Sequence, residues 1–544
     1  MAAIITRDFN IKCAENFEDS ADSLYVLLGK ANSWPTVAGV PDSPEAPYDT
    51  TDYKNTIFRN GFILKKVLSS DIQAVIPRVD WTSGTVYTQY TETANLYIKV
   101  SETAVAGGNV NVKTGLANTV NANAINFLTS NPVINSGDFI KIKGELKEVV
   151  RVNTAGDFIQ VNSNFAIAAS QDVLAQTIYK IVNTSPQYAN KFYVRNSEDQ
   201  VFKCLYNNNS AVSTVKPEIT IGGQLPENPF IETSDGYKWK YMYTIPTGLK
   251  NRFFNSKYMP VINDNLVFAN RKAGRIDIID IISGGTGYFN GSTQSNYPIV
   301  TIIGDGTGAT ATVNVVQGVI TKVNITNGGQ DYTWASVVIS DSIQTQTGTA
   351  ATLKPIISPL YGHGSNSMRE LGSSDRMVSV DFQGSVNGNL PVVDSATGTK
   401  VTEYRQVSLV RNPRLTNNEV ATSAVIPTYT RIYVESPAAP GFANDQIVYV
   451  SSTGNYVDAT FTANVLYFDE VQSVVYVNNI SGNSAAIVSE VLRQKDTPSI
   501  FGQIFSVTQP DINIFSGEIL YAENRQKVIR MANQTDSVKL VLEF

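Results

Sequence analysis

Few residues in this 544-residue chain have types that could do chemistry, and a single histidine, His363, is the first of them. One imidazole rules out an HExxH metal site, a multi-histidine metal centre and any relay that needs two histidines. Flanked by Gly362 and Gly364, His363 reads as a loop residue rather than a catalyst. The two cysteines, Cys13 and Cys204, form no CxxC pair and no disulfide framework, and read as buried free thiols. The loop Gly304-Asp305-Gly306-Thr307-Gly308-Ala309 has the glycines of a phosphate cradle. It lacks the Gly-Lys-Ser/Thr ending of a P-loop, the GxGxxG spacing and a following helix, since Thr310 to Val313 is strand-like. Tight turns at positive φ explain those glycines better. Carboxylates remain, and two at suitable separation suffice for glycoside hydrolysis, but no sequence pattern pairs them. The expectation is a chain with no catalytic residue, no cofactor and no metal.

One stretch interleaves aromatics with cations: Tyr237, Trp239, Tyr241 and Tyr243 alternate with Lys238, Lys240 and Met242. Such a pattern could stack bases. A stacking site needs a basic field, however, and the net charge is -6 with a pI near 5.2. The stretch therefore reads as a strand with an aromatic core face and solvated lysines. The same acidity argues against a nucleic-acid or anionic-membrane partner. The amino-terminal residues show no signal-peptide pattern, and no apolar run approaches the ~20 residues of a membrane span. A soluble protein made in a cytoplasm is expected.

The elements that would position these residues are mostly strands. Hydrophobic residues make up 42% and charged residues only 17%, below the roughly 25% usual for soluble proteins, so Asn, Thr, Ser, Val and Gly set the character. The length implies about three to five domains. Residues 9–22 and 51–60 are predicted helices, the second with Asp49, Thr50 or Thr51 as cap. Ser23 to Gly29 is a near-continuous apolar run, predicted to be a strand covered on both faces. The clearest repeat aligns Ile276 to Tyr288 with Ile320 to Tyr332, units of about 44 residues that suggest a β-module with pseudo-two-fold symmetry.

The closing stretch alternates Val538, Leu540, Leu542 and Phe544 with Lys539, Val541 and Glu543, a half-buried strand. Ile519 to Tyr521 and Val528 to Met531 are two further short runs, separated by a turn at Asn524. This end is predicted to dock against the other end of the protein. The fold class expected is mainly β and multi-domain, with a split α/β sandwich built from both chain ends and all-β insertions resembling sandwiches or barrels. The predicted parts are a core of 1–98, 359–427 and 506–544, an inserted β module at 99–180, an aromatic-rich β domain at 181–269, the repeated module at 270–358, and another inserted module at 428–505.

Four strings carry a family resemblance. They are Ala74-Val75-Ile76-Pro77-Arg78-Val79-Asp80-Trp81, the Asp235 to Tyr241 run ending at Ile245-Pro246, Tyr404 to Ser408 with Asn412-Pro413, and Ser516-Gly517-Glu518 through Tyr521 to Glu523-Asn524-Arg525. In this order they resemble the baseplate wedge subunit of T-even-type contractile-tailed phages, the gene-product-eight family. The segments 99–180, 270–358 and 428–505 depart from that pattern. The resemblance implies a structural, non-enzymatic virion protein, dimeric within each wedge, joined by other wedge proteins into a six-fold plate that rearranges on tail contraction. Under it Pro77, Arg78, Asp80, Trp81, Tyr237, Trp239, Glu518, Tyr521, Glu523, Asn524 and Arg525 are structural or interface candidates. Arg78 and Asp80 beside Trp81, and Glu518, Glu523 and Arg525 beside Tyr521, would fix the joint of the core or else face a partner subunit. The rival expectations are a receptor-binding or fibre-attachment tail protein and a glycan-cleaving tail enzyme.

Overall fold

The computed structural model describes residues 7–19, 23–90, 192–220, 230–288, 298–339, 348–390, 402–531 and 533–544, and the backbone of short strands between 95 and 183. The chain is mainly β and multi-domain, and it divides into two compact units: residues 1–75 with 374–544, and residues 76–373. The first unit thus ends its leading segment at Val75, short of the 98 read from sequence, and residues 359–373 lie in the second unit.

In the first unit the organising strand is Leu24–Gly29, buried along its whole length. Its side chains alternate faces. Leu24, Val26 and Leu28 enter one apolar core, while Tyr25 and Leu27 enter another with Ile57 and Phe58 of the helix Thr51–Asn60. Each fully buried Leu or Val there is worth about 1.5–3 kcal/mol. Thr50 caps that helix, its Oγ1 accepting from the Tyr53 amide at 3.2 Å. The other expected helix forms over Arg7–Asp19; its predicted end, 20–22, lies outside the described residues.

The central strand pairs antiparallel with Gly61–Lys66 on one side and Thr402–Arg411 on the other. The five-stranded sheet is completed by Val425–Pro427 and Glu518–Arg530. A second sheet places Asp375–Gln383 between residues 72–75 and Thr535–Leu542. Val378, Val380, Val538 and Leu540 from it share a core with Leu24, Val26 and Leu28. Phe17 and Phe544 meet with ring centroids 5.5 Å apart. Both chain ends therefore build one α/β sandwich. The final strand does not pair directly with the amino-terminal one; its partner is Asp375–Gln383. Nor does a turn occur at Asn524. Glu518–Arg530 is one 13-residue strand that absorbs its irregularities as register shifts against Thr402–Arg411.

The later insertion closes into a six-stranded barrel, in the order Thr430–Glu435, Val474–Ser481, Phe461–Asp469, Ile447–Val450, Val491–Gln494 and Phe501–Thr508. Closure removes sheet edges, and the barrel has its own apolar core around Ile432, Val448, Phe461 and Val475.

The second unit contains a four-stranded aromatic-rich sheet, Tyr193–Arg195, Gln200–Tyr206, Lys238–Thr244 and Ile231–Glu232. Strands Phe139–Ile142, Glu145–Val152 and Phe158–Val161 lie within the β module expected at 99–180. The repeat at 270–358 has reciprocal geometry. The Tyr288 amide donates to the Gly318 carbonyl and the Tyr332 amide to the Gly274 carbonyl, both at 3.0 Å. Tyr288 Oη accepts from the Ala351 amide at 2.8 Å, and Tyr332 Oη from the Ala309 amide at 3.3 Å. Gly285 and Gly329 occupy matching positions at φ 62° and 65°, where an added Cβ would strike the carbonyl oxygen of Thr349 or Thr307 at 2.5 Å.

Candidate functional site

The motif residues fall into three places. Pro77 ends its strand, its carbonyl accepting from Tyr193 Oη at 3.0 Å. Arg78 Nε donates to Asp80 Oδ2 at 2.8 Å, and Arg195 pairs with the other Asp80 oxygen. Arg195 Nε also donates to Asp199 Oδ1 at 2.9 Å, and Lys250 Nζ to Asp199 Oδ2 at 2.8 Å. The result is an alternating ladder, Arg78, Asp80, Arg195, Asp199, Lys250. The ring of Phe254 lies 4.6 Å from the Arg78 guanidinium and 4.8 Å from that of Arg195. Burial alone would raise the Asp80 pKa, but hydrogen bonds from Arg78 and Arg195 outweigh it and hold the carboxyl below its usual range. Trp81 is half-buried, with Nε1 donating to Ser213 Oγ at 3.1 Å and its amide to the Arg195 carbonyl at 2.8 Å. This cluster belongs to the unit 76–373, not to the body made from both chain ends.

Tyr237 and Trp239 are fully buried and stack at 5.3 Å with planes 16° apart. Tyr237 Oη donates to the Ala211 carbonyl at 2.5 Å. Gly236 supplies the turn before them at φ 84°. The aromatic face is core, as the alternation predicts, with one departure. A register shift between Val201 and Phe202 moves Tyr243 into the neighbouring core with Met242. The flanking lysines are only partly solvated. Lys238 and Lys240 are half-buried, and burial pulls both ammonium pKa values down.

The third group lies along Glu518–Arg530. Arg411 Nη2 donates to Glu518 Oε2 at 2.6 Å, and Tyr521 Oη to Glu523 Oε2 at 3.1 Å. Burial, with Glu523 beside it, pushes the Tyr521 phenol up to about 12. Asn524 Nδ2 donates to the Glu45 carbonyl at 2.7 Å and contacts Tyr53 Oη, while its Oδ1 accepts from Gln406 Nε2 at 2.8 Å. The Arg525 carbonyl accepts from Trp34 Nε1 at 3.0 Å. These bonds cross from the carboxy-terminal strand to residues 34–53, tying the two chain ends.

The residue that sequence reasoning placed in a loop proves to be buried. His363 Nε2 lies 2.7 Å from Asp277 Oδ2, and Nδ1 lies 2.5 Å from Glu370 Oε1 and 2.8 Å from Lys203 Nζ. Lys203 Nζ donates to the same Glu370 oxygen, and the Gly364 amide donates to Glu370 Oε2 at 2.7 Å. All four side chains are buried, and Tyr90 covers the Lys203 ammonium at 3.5 Å. Burial would raise the Glu370 pKa, yet Lys203, His363 and the Gly364 amide hold it far below the usual carboxylate range. Both Glu370 oxygens are committed within the cluster. The arrangement pairs charged groups inside a core. One signal of it stood in the sequence: Lys203 interrupts the apolar run Val201, Phe202, Cys204, Leu205. A lysine there must find a buried partner.

The remaining chemical candidates are held within the fold. Both cysteines are free, and burial pushes the Cys204 thiol well up, away from reactivity. Asp305 in the glycine loop accepts from the Thr333 amide at 2.9 Å and the Trp334 amide at 3.1 Å, and the loop runs directly into the strand Thr307–Val316. Among the described residues, no cluster of three or more His, Cys, Asp or Glu side chains is arranged to hold a metal. No described helix is long and apolar enough to cross a membrane. No protein-family model matches the chain, and no curated protein matches it.

Proposed function

We propose that this chain is a structural subunit of a phage tail baseplate wedge, acting by non-covalent docking rather than by catalysis. The observation that carries the reading is the split sandwich of residues 1–75 and 374–544, with the barrel inserted between its strands. The resemblance implies a body of that construction. Support comes also from the Glu518 to Arg525 string, whose side chains and carbonyls bond to residues 34–53. The Asp80 ladder, its Asp80 side chain 40% exposed, is a rigid charged edge of the kind a partner subunit can engage. Under this reading the protein is assembled in the host cytoplasm and resides in the virion. It pairs as a homodimer within each wedge and joins other wedge proteins in a six-fold plate that moves on contraction. It needs no cofactor and touches no nucleic acid.

Cryo-electron microscopy of intact tails is the test, with density for this chain expected in the ring at the tail tip. Its absence there, or turnover of host surface polysaccharide by the purified protein alone, would sink the reading. A second reading, receptor binding or fibre attachment, rests on the repeated module having a core of its own around Tyr288, Ile320 and Tyr332. Deleting 274–355 should leave particles that assemble and adsorb; loss of adsorption alone would favour the second reading.

A further inference from the structure

The two repeats of the 270–358 module match in backbone but differ in side chains at one place. Aligning Ile276 with Ile320 sets Lys322 against Ile278 and Asn324 against Asp280. Of these, Ile278, Lys322 and Asn324 line a cavity of about 160 Å³, together with Arg275, Asp277, Glu232 and Lys238. Drug-sized ligands occupy roughly 300 Å³ or more, so this space suits one small polar molecule.

Charge decides which kind. Arg275, Lys238 and Lys322 face the cavity, and among the described residues none of them donates a hydrogen bond to a carboxylate. The nearest such approach is Arg275 Nε to Asp277 Oδ1, at 3.7 Å. Asp277 is already engaged by His363 at 2.7 Å, and the cations Lys203 and Lys240 stand against Glu370 and Asp277 on the buried side. On the cavity side Glu232 and Asp280 act on Lys238, and Asp280 also on Lys354, so two carboxylates stand against Arg275, Lys238, Lys322 and Lys354. Burial lowers the Lys238 pKa and Lys322 lowers it further, against Glu232 and Asp280, which raise it. The surplus is two positive charges. A phosphomonoester carries about −1.5 to −2 at pH 7, whereas a carboxylate carries one negative charge.

We infer that this cavity binds a small phosphate-bearing molecule. Arg275 supplies the planar fork and Lys238 and Lys322 the point charges. Asn324 can bond to a hydroxyl of the organic part. Nothing in this site depends on the baseplate reading.

The test is calorimetric titration of the full chain with glycerol 3-phosphate, with glucuronate and glycerol as controls. Saturable binding of the phosphate ester is expected, with glucuronate weaker and glycerol silent. Lys322 is exposed, so Lys322→Gln should fold normally and weaken binding by about tenfold or more, the loss of one charge-assisted bond. Lys322→Arg should retain most of the affinity. No saturable binding, equal binding of glucuronate, or unchanged affinity in both Lys322→Gln and Lys238→Gln would each overturn the assignment.

Discussion

In the unit of residues 1–75 and 374–544, three arginines, Arg376, Arg405 and Arg530, are fully buried, and each reaches outward to a carboxylate nearer the surface. In the unit of residues 76–373, a lysine, a histidine and two carboxylates are buried together. The first pattern is a set of clamps. Arg405 Nε donates to Asp42 at 2.8 and 2.9 Å and Nη2 to Glu403 at 2.7 Å, and Arg376 Nε lies 2.8 Å from Glu18. Arg530 Nη2 donates to the carbonyls of Phe382 at 2.8 Å and Gly384 at 3.0 Å. Each clamp joins segments far apart in sequence, which a body made from both chain ends requires. Arg suits this work because its fork makes several directed bonds and its charge is weakly hydrated. The second pattern is closed off from solvent, with both Glu370 oxygens and one Asp277 oxygen bonded inside it. The difference is in what water can do after a break: a carboxylate near the surface can be rehydrated, whereas one inside a core cannot.

That contrast can be broken most directly at Lys203. Lys203→Met leaves Glu370 buried beside fewer cations and should cost about 3–5 kcal/mol, read as a lowered thermal unfolding midpoint. The double variant Lys203→Met with Glu370→Leu should recover much of the loss. A single variant no less stable than wild type would mean the cluster is not a buried charge pair at all. Arg405→Met should cost less, about 2 kcal/mol, because Asp42 can turn to solvent. Equal costs would erase the distinction between clamp and closed cluster.

Acid sharpens the same comparison. The folded-state pKa of Glu370 is depressed below 4.5, so its stabilising contribution is complete above that value and is lost as pH falls below it. Glu18 in the other unit has its pKa raised above 4.5, burial outweighing Arg376, so stability gained from its protonation grows as pH falls. In acid titrations the gap between wild type and Glu370→Gln should close below about pH 4.5, while Glu18→Gln shows the opposite trend. The smallest effect is expected at the exposed pair Arg411 and Glu518. Arg411→Ala should change stability by under about 1 kcal/mol, with salt reducing even that.

The features legible in sequence were local ones. The run at 24–29, the alternation at 538–544, the Thr50 cap region, the repeat ending at Tyr288 and Tyr332, and the β-rich insertion that closes as a barrel all follow from side-chain period and turn chemistry. Tertiary structure decided what each polar residue meets. Asn524 looks like turn material, yet its amide has partners at Glu45, Tyr53 and Gln406 that keep it within a strand. Lys238 and Lys240 alternate as solvated residues should, yet the chain folds back over them. His363 between two glycines has a loop's composition, but Lys203 and Asp277 arrive from distant segments, and Glu370 from the helix just after it, to bury it. Periodicity is a property of neighbours in the chain, so the sequence carries it. Burial of a charge depends on which remote charge comes to meet it, and only the packed fold sets that distance.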